Sequence, residues 1–227
     1  MPSLPQLLTE RRHLLVLDAA SMQRQVGMLR RDAAEIWRTT TQEAGRGIFT
    51  CVRELLDESQ LRLDEVGGFI YCEGPGSMLG VRTVAMALRT WQILKLRPTF
   101  AYQSLAIAGY FERMQNGPRD FTVIADARRD TWHRQVVRAN GELSPLQRFS
   151  TAELGDGELV TPENFRTWAT PPRPTKTCSY DLKKIFPILK NADLFRRSGA
   201  PDSFQHEAPE YKKSPAQIHS IETAEKK

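Results

Sequence analysis

The stretch from Gly68 to Leu94 limits the possible folds of this chain more than any other. Gly68-Phe69-Ile70-Tyr71-Cys72 is a short apolar run of strand-forming residues. Glu73-Gly74-Pro75-Gly76-Ser77 is a turn cluster. From Met78 to Leu94 apolar residues recur at helical spacing, with no Pro and no Gly after Gly80. Ser77 is placed to cap that helix. A strand, a glycine-rich turn and a helix in succession aim backbone N–H groups and the positive end of a helix dipole into one crevice.

By spacing, the turn is no standard phosphate loop. Gly80 is followed by Val81 and Arg82, not by Lys-Ser/Thr, so it is not a Walker loop. Gly74 and Gly76 fit the dinucleotide fingerprint, but the third Gly falls at 80, one place late. The acidic residue needed about 20 positions on is missing; that region holds Lys95, Arg97 and Pro98. A tight turn that needs Gly for positive φ or close packing explains the same residues. On spacing alone it stands ahead of a phosphate site.

Before this unit, residues 1–12 read as a loose leader without the pattern of a signal peptide. His13–Asp18 is a buried-type strand, and Gln25–Leu29 and Ala34–Arg38 are its partners in an antiparallel meander. Thr41–Ser59 turns helical, with Ile48, Val52, Leu55 and Leu56 on one face. After it, Pro98–Tyr102 is another strand, Ser104 is placed to cap a helix reaching about Met114, and Asn116-Gly117-Pro118 is a break. The order β-β-β-α-β-α-β-α implies a mixed sheet covered by helices, the ribonuclease-H-like or actin-like half.

Beyond the break, Phe121–Asp126 is again a strand ending in Asp, followed by strands at Trp132–Arg138 and Leu146–Ser150. This echo of residues 14–38 suggests an internal duplication. From Thr151 the prolines at 162, 171, 172 and 174 break the pattern, and one helix is expected near Asp181–Phe195. The expected organisation is a lobe at 13–117, a smaller, partly degenerate lobe at 118–211 and a polar tail at 212–227.

The residue inventory argues against several function classes. No apolar run approaches the roughly 20 residues that span a bilayer. Cys51, Cys72 and Cys178 are odd in number and poorly spaced for a disulfide framework or a zinc site, which fits a reducing compartment. His13, His133, His206 and His219 never pair at metal-ligand spacing, so no metal site is expected. Around Ser77 the following Gly comes three residues on, not two, so Ser77 reads as a cap before a nucleophile. A net charge of +5 permits an acidic partner such as RNA, but the 32 basic residues are scattered. Asp18 and Asp126 end equivalent strands, where a two-lobed phosphotransferase would hold metal-bound nucleotide; an Asp in that place is also a common turn-former.

Four pieces, in order, give a more specific resemblance. Gly74-Pro75-Gly76-Ser77-Met78-Leu79-Gly80-Val81-Arg82 resembles the Gly-Pro-Gly-Ser-Phe-Thr-Gly-Ile/Val-Arg motif of the TsaB (YeaZ) family. Leu17-Asp18-Ala19-Ala20-Ser21 is similar to that family's first strand with Asp-Thr-Ser, and Asp126-Ala127-Arg128-Arg129 to the Asp-Ala-Arg that opens its second lobe. Ala208-Pro209-Glu210-Tyr211 resembles its closing Pro-x-Tyr. The resemblance implies an actin-like fold and a non-catalytic, cytoplasmic role in making N6-threonylcarbamoyladenosine on tRNA. The implied partners are the catalytic threonylcarbamoyltransferase paralogue and an ATPase third component, with a homodimer when alone, tRNA contact only through the complex, no cofactor and no membrane. The paralogue binds its metal with histidines on the first long helix; here that helix reads Gln42-Glu43-Ala44-Gly45-Arg46, without His. Leu79 for Thr and Asp-Ala-Ala-Ser for Asp-Thr-Ser remove hydroxyls near the place where this fold class holds phosphate. Asp18, Gly74, Gly76, Ser77, Gly80 and Asp126 would then mark only a vestigial nucleotide site. The alternatives are a vestigial actin-like enzyme that keeps nucleotide binding or peptidase activity, and a basic fold with direct tRNA affinity.

The two central helices are the expected partner surface. At about 100° per residue, Val81, Val84, Ala85, Leu88 and Trp91 fill one side of the second helix, and Leu79, Met86 and Ile93 another, with Arg82 and Arg89 between. The apolar arc of the first runs from Cys51 through Ile48 and Val52 to Leu56 and Phe49. Such arcs reach both a sheet and a neighbour, either a third helix of this chain or a partner. The resemblance favours the partner, since family members use these helices both to self-pair and to bind the paralogue.

Overall fold

A computed structural model describes residues 3–204 of the chain. Its elements are α1 (Leu4–Arg11), β1 (His13–Asp18), β2 (Arg24–Arg30), β3 (Ile36–Thr40), α2 (Ala44–Ser59), β4 (Gly68–Gly74), α3 (Met78–Leu94), β5 (Thr99–Gln103) and α4 (Ser104–Asn116). They continue with β6 (Phe121–Asp126), β7 (Thr131–Val137), β8 (Gln147–Ser150), β9 (Leu159–Pro162), β10 (Thr175–Cys178), α5 (Leu182–Ile185) and β11 (Arg196–Ser198).

The strands form two mixed sheets, ordered β11-β5-β4-β1-β2-β3 and β10-β9-β6-β7-β8. In the first, β1–β3 are an antiparallel meander with Leu17 opposite Val26, and β4 joins β1 in parallel with Ile70 beside Val16. β5 continues in parallel along β4. In the second, β6–β8 are again antiparallel, β9 joins β6 in parallel with Val160 beside Val123, and β10 continues in parallel. The pattern β3-β2-β1-β4-β5 is therefore repeated as β8-β7-β6-β9-β10, with Asp18 and Asp126 ending equivalent strands. This duplication is the actin-like α/β architecture that the sequence predicts. The second copy is reduced: β9 and β10 are linked by a Pro-containing loop at 163–174 and not by a helix.

Strand alternation decides which helices cover which face. Leu15, Leu17, Val26, Met28, Phe69 and Tyr71 of the first sheet pack under Ile48, Cys51, Val52 and Leu55 of α2 and Val84, Leu88 and Trp91 of α3. Leu14, Val16, Ile70, Cys72, Phe100 and Tyr102 point the other way, into a cluster with Leu105, Ile107 and Phe111 of α4 and Val123, Ala125 and Val137 of the second sheet. α4 thus lies between the sheets. A Cβ on Gly109 would stand 2.6 Å from Val137 Cγ2, so Gly lets this helix approach the second sheet closely.

Four expectations need correction. Residues 4–11 are a helix and not a loose leader: Ser3 N donates to Gln6 Oε1 at 2.8 Å, and Leu4 and Leu7 are buried in the cluster that holds Phe186 and Leu189. Ser104 does not cap α4; it is the helix's first residue, and its hydroxyl donates to the Pro75 carbonyl at 2.6 Å. The helix expected at 181–195 is the single turn of α5 followed by a 3-10 stretch, Phe186–Asn191. Pro187 has no N–H with which to continue the α ladder. The irregular region after 151 contains β9, β10 and β11, short strands fixed by pairing more than by propensity. Ala208–Tyr211, His206, His219 and the polar tail lie outside the described residues.

Candidate functional site

Asp18 ends β1 fully buried, and its carboxylate is saturated by this chain. Oδ1 accepts from Ala20 N at 2.8 Å, while Oδ2 accepts the hydroxyls of Tyr102 at 2.6 Å and Tyr180 at 2.7 Å. Burial pushes the carboxyl above its ordinary value, and the hydrogen bonds from Tyr102, Tyr180 and Ala20 pull the other way. Both tyrosine hydroxyls are pushed well up, first by burial and then by the neighbouring Asp18. Both oxygens of Asp18 are thus engaged within the chain, by one backbone N–H and two phenol hydroxyls. Neither tyrosine is readable as part of the site in the sequence, because their convergence is tertiary.

The glycine turn closes onto the same loop. Ser77 N donates to Ala20 O at 2.6 Å, and Ser77 Oγ caps α3 by accepting from Gly80 N at 3.3 Å. A Cβ on Gly76, whose φ is +150°, would stand 2.3 Å from Ala20 O, and one on Gly80 2.1 Å from Ala19 O. Gly74 also has a positive φ, +108°. Gly76 and Gly80 let α3 and the β1–β2 loop touch backbone to backbone. Asp18, Gly74, Gly76, Ser77 and Gly80 therefore come together, as a packed joint.

Asp126 does not complete a metal site with them. Its Oδ1 accepts from Arg128 N at 2.6 Å, and Oδ2 accepts from Trp168 N at 2.6 Å and Ala169 N at 2.7 Å. It ties the β6–β7 turn to the 168–169 segment. Among the described residues no three His, Cys, Asp or Glu side chains gather so as to hold a metal ion.

The faces of α2 and α3 divide sharply. Ile48 and Val52, expected at a partner surface, are buried in the chain's own core, and Leu56 is half-buried. They support the surface from beneath and are not part of it. Phe49 is 47% exposed, Leu79 67%, Met86 58% and Ile93 85%. With Arg82, Thr83, Thr90 and the Trp91 edge, Phe49, Leu79 and Met86 line an open groove of about 440 Å³. The Phe49 and Trp91 rings meet edge to face at 6.1 Å. Arg89 is engaged within the chain: Nε donates to Pro201 O at 2.7 Å, and the guanidinium pairs with Asp202 at 3.0 Å. Helical spacing revealed the exposed stripe at 79, 86 and 93; the tether on Arg89 had no sequence signal.

Solved structures match this fold. YeaZ from Pseudomonas aeruginosa superposes over 78% of this chain and 90% of its own, with a TM-score of 0.61 and 20% identity. Its fold is the YeaZ fold. A Pseudomonas aeruginosa protein described as uncharacterized, with similarity to peptidase YeaZ, matches over 74% of this chain and 84% of its own, with a TM-score of 0.59 and 19% identity. No protein-family model matches the sequence, and no curated protein does. At these identities the likeness to YeaZ establishes the actin-like architecture. No described helix is long and apolar enough to cross a membrane.

Proposed function

We propose that this chain belongs to the TsaB (YeaZ) family and serves as the non-catalytic partner subunit in tRNA threonylcarbamoylation, docking on the catalytic threonylcarbamoyltransferase paralogue. The observation that carries this reading is the exposed apolar stripe Leu79, Met86 and Ile93, with Phe49 beside it, on the two helices that pack on the outer face of the first sheet. Large apolar side chains grouped on one face and rimmed by Arg82 and Thr90 suit a protein partner better than water. The lobe of residues 13–117 carries this face. Alone, the chain covers it by pairing with a second copy; with the paralogue present, the heterodimer replaces that contact. The ATPase component and tRNA join through the complex, in the cytoplasm. The saturated Asp18 and the closed glycine turn support a partner role over a vestigial nucleotide enzyme.

Co-purification tests the reading. The tagged chain is expected to retain a larger paralogue with a His pair on its first long helix, identified by mass spectrometry, and a Leu79→Asp variant to lose it. Retention unchanged by Leu79→Asp, or no paralogue retained at all, would contradict the proposal.

A further inference from the structure

The β6–β7 turn carries arginines where smaller residues are easier to accommodate. Arg128, Arg129 and Asp130 have φ of 66°, 53° and 55°, three successive left-handed residues without a glycine. Hairpin turns that need such angles favour Asn and Gly. Residues held in left-handed backbone conformations of this kind cluster at functional sites. Ala127 N donates to Thr131 O at 2.9 Å and Thr131 N to Arg128 O at 3.1 Å, so the turn is closed and its side chains are held outward.

Facing this turn is Trp168, 59% exposed, with the Arg128 guanidinium 4.7 Å from its ring centre. The remaining tryptophans, Trp37, Trp91 and Trp132, are buried. Asp126 fixes the position of Trp168 by accepting its N–H and that of Ala169. Together these residues line a concavity of about 350 Å³, a size suited to a small ligand. Of the two acids beside it, Asp126 accepts three backbone N–H groups and Asp130 accepts the Thr151 hydroxyl, and Arg128, Arg129 and Arg148 outnumber them. Arg129 forms no ion pair or hydrogen bond among the described residues. Arg148 lies across the same turn, donating to Thr131 Oγ1 at 2.7 Å and Ala127 O at 3.2 Å, and adds a third positive charge.

We infer that this concavity binds a nucleotide unit, with the base stacked on Trp168 and the phosphate held by Arg128 and Arg129. With Arg128 over part of the ring, the exposed remainder of the indole offers any base a flat apolar plate, and the adjacent guanidinium groups pair with phosphate oxygens. No side chain here is arranged to read a base edge, so the site tolerates any sequence and depends on salt. The same chemistry fits a free mononucleotide or an unpaired nucleotide of an RNA strand. The inference stands apart from the partner-subunit reading, because it concerns the isolated chain and a different face.

Fluorescence anisotropy with a short labelled adenosine homopolymer, with AMP as competitor, tests it. At physiological salt the parent should bind the strand at about 10–100 µM, within the range of non-specific electrostatic binding, and more tightly as salt is lowered. Trp168→Ala should weaken it about tenfold. The double variant Arg128→Asn, Arg129→Asn should lower the slope of log affinity against log salt by about 1.4, from two lost phosphate contacts. Asn accepts the left-handed backbone better than Arg, so this variant should melt no lower than the parent and its lost binding reports the contact itself. Displacement of the strand by AMP, with quenching of Trp168 emission, would assign the site to a free mononucleotide. Strand binding that AMP does not displace would assign it to unpaired RNA. A parent that binds neither probe, or variants that bind the strand as the parent does, would overturn the inference.

Discussion

The Tyr180 hydroxyl donates to Asp18 Oδ2 at 2.7 Å across 162 positions of sequence. Nearby, Gln25 Nε2 donates to Tyr180 O at 2.7 Å and Leu182 N to Gln25 Oε1 at 2.8 Å. The end of the first strand is thereby fastened to the segment that follows the second sheet. Asp18 is a buried fastening between the two halves. Tyr180→Phe removes one hydrogen bond to a carboxylate and should cost about 1.5–3 kcal/mol in urea unfolding. A variant as stable as the parent would show that the bond contributes nothing.

Asp18 also predicts a pH dependence. Its carboxyl is raised above its ordinary value by burial, so the folded chain holds this proton more tightly than the unfolded chain. Stability from this group therefore rises as pH falls from the raised value to the ordinary carboxylate value, and is lost again as pH rises. Relative to Asp18→Asn, the parent should gain stability on acidification through that window. Curves of stability against pH that run parallel for the two proteins would contradict the raised value.

The glycine joint should behave as structure. Gly76→Val puts a β-branched side chain where even a Cβ would stand 2.3 Å from Ala20 O. The strain should cost on the order of 1–3 kcal/mol and lower the melting temperature. A variant that melts like the parent but loses ligand or partner binding would make the turn a recognition loop instead.

The three cysteines are free and buried. Burial pushes the Cys178 thiol up to about 12 and the Cys72 thiol well above its ordinary value. Little thiolate exists near neutrality. Ellman's reagent should react slowly with the native chain and rapidly once it is denatured; fast labelling of the native chain would show that these side chains open to solvent.

Much of this fold was legible in the sequence because its first half is locally consistent. Gly68–Cys72 is β-rich, Ser77 is a cap, and the run from Met78 keeps helical spacing, so turn, cap and pattern agree with the structure. The second half was less legible. β9 and β10 are four residues each and owe their conformation to pairing with β6 and with each other. Helix α1 was hidden because its apolar side is only Leu4, Leu7 and Leu8. In the site, spacing separated Leu79, Met86 and Ile93 from the buried side of α3, but it could not show that Ile48 and Val52 are consumed by the core or that Tyr102 and Tyr180 converge on Asp18.

On the proposed function, the outer face of α2 and α3 is a docking surface shared by self-pairing and by the paralogue. Size-exclusion chromatography with light scattering, on the parent and on Phe49→Asp, each alone and with the purified catalytic paralogue, tests it most directly. The parent should run as a homodimer that the paralogue converts to a one-to-one heterodimer. Phe49→Asp should run as a folded monomer with weakened binding to the paralogue. Homodimer and heterodimer unchanged by Phe49→Asp would contradict the account.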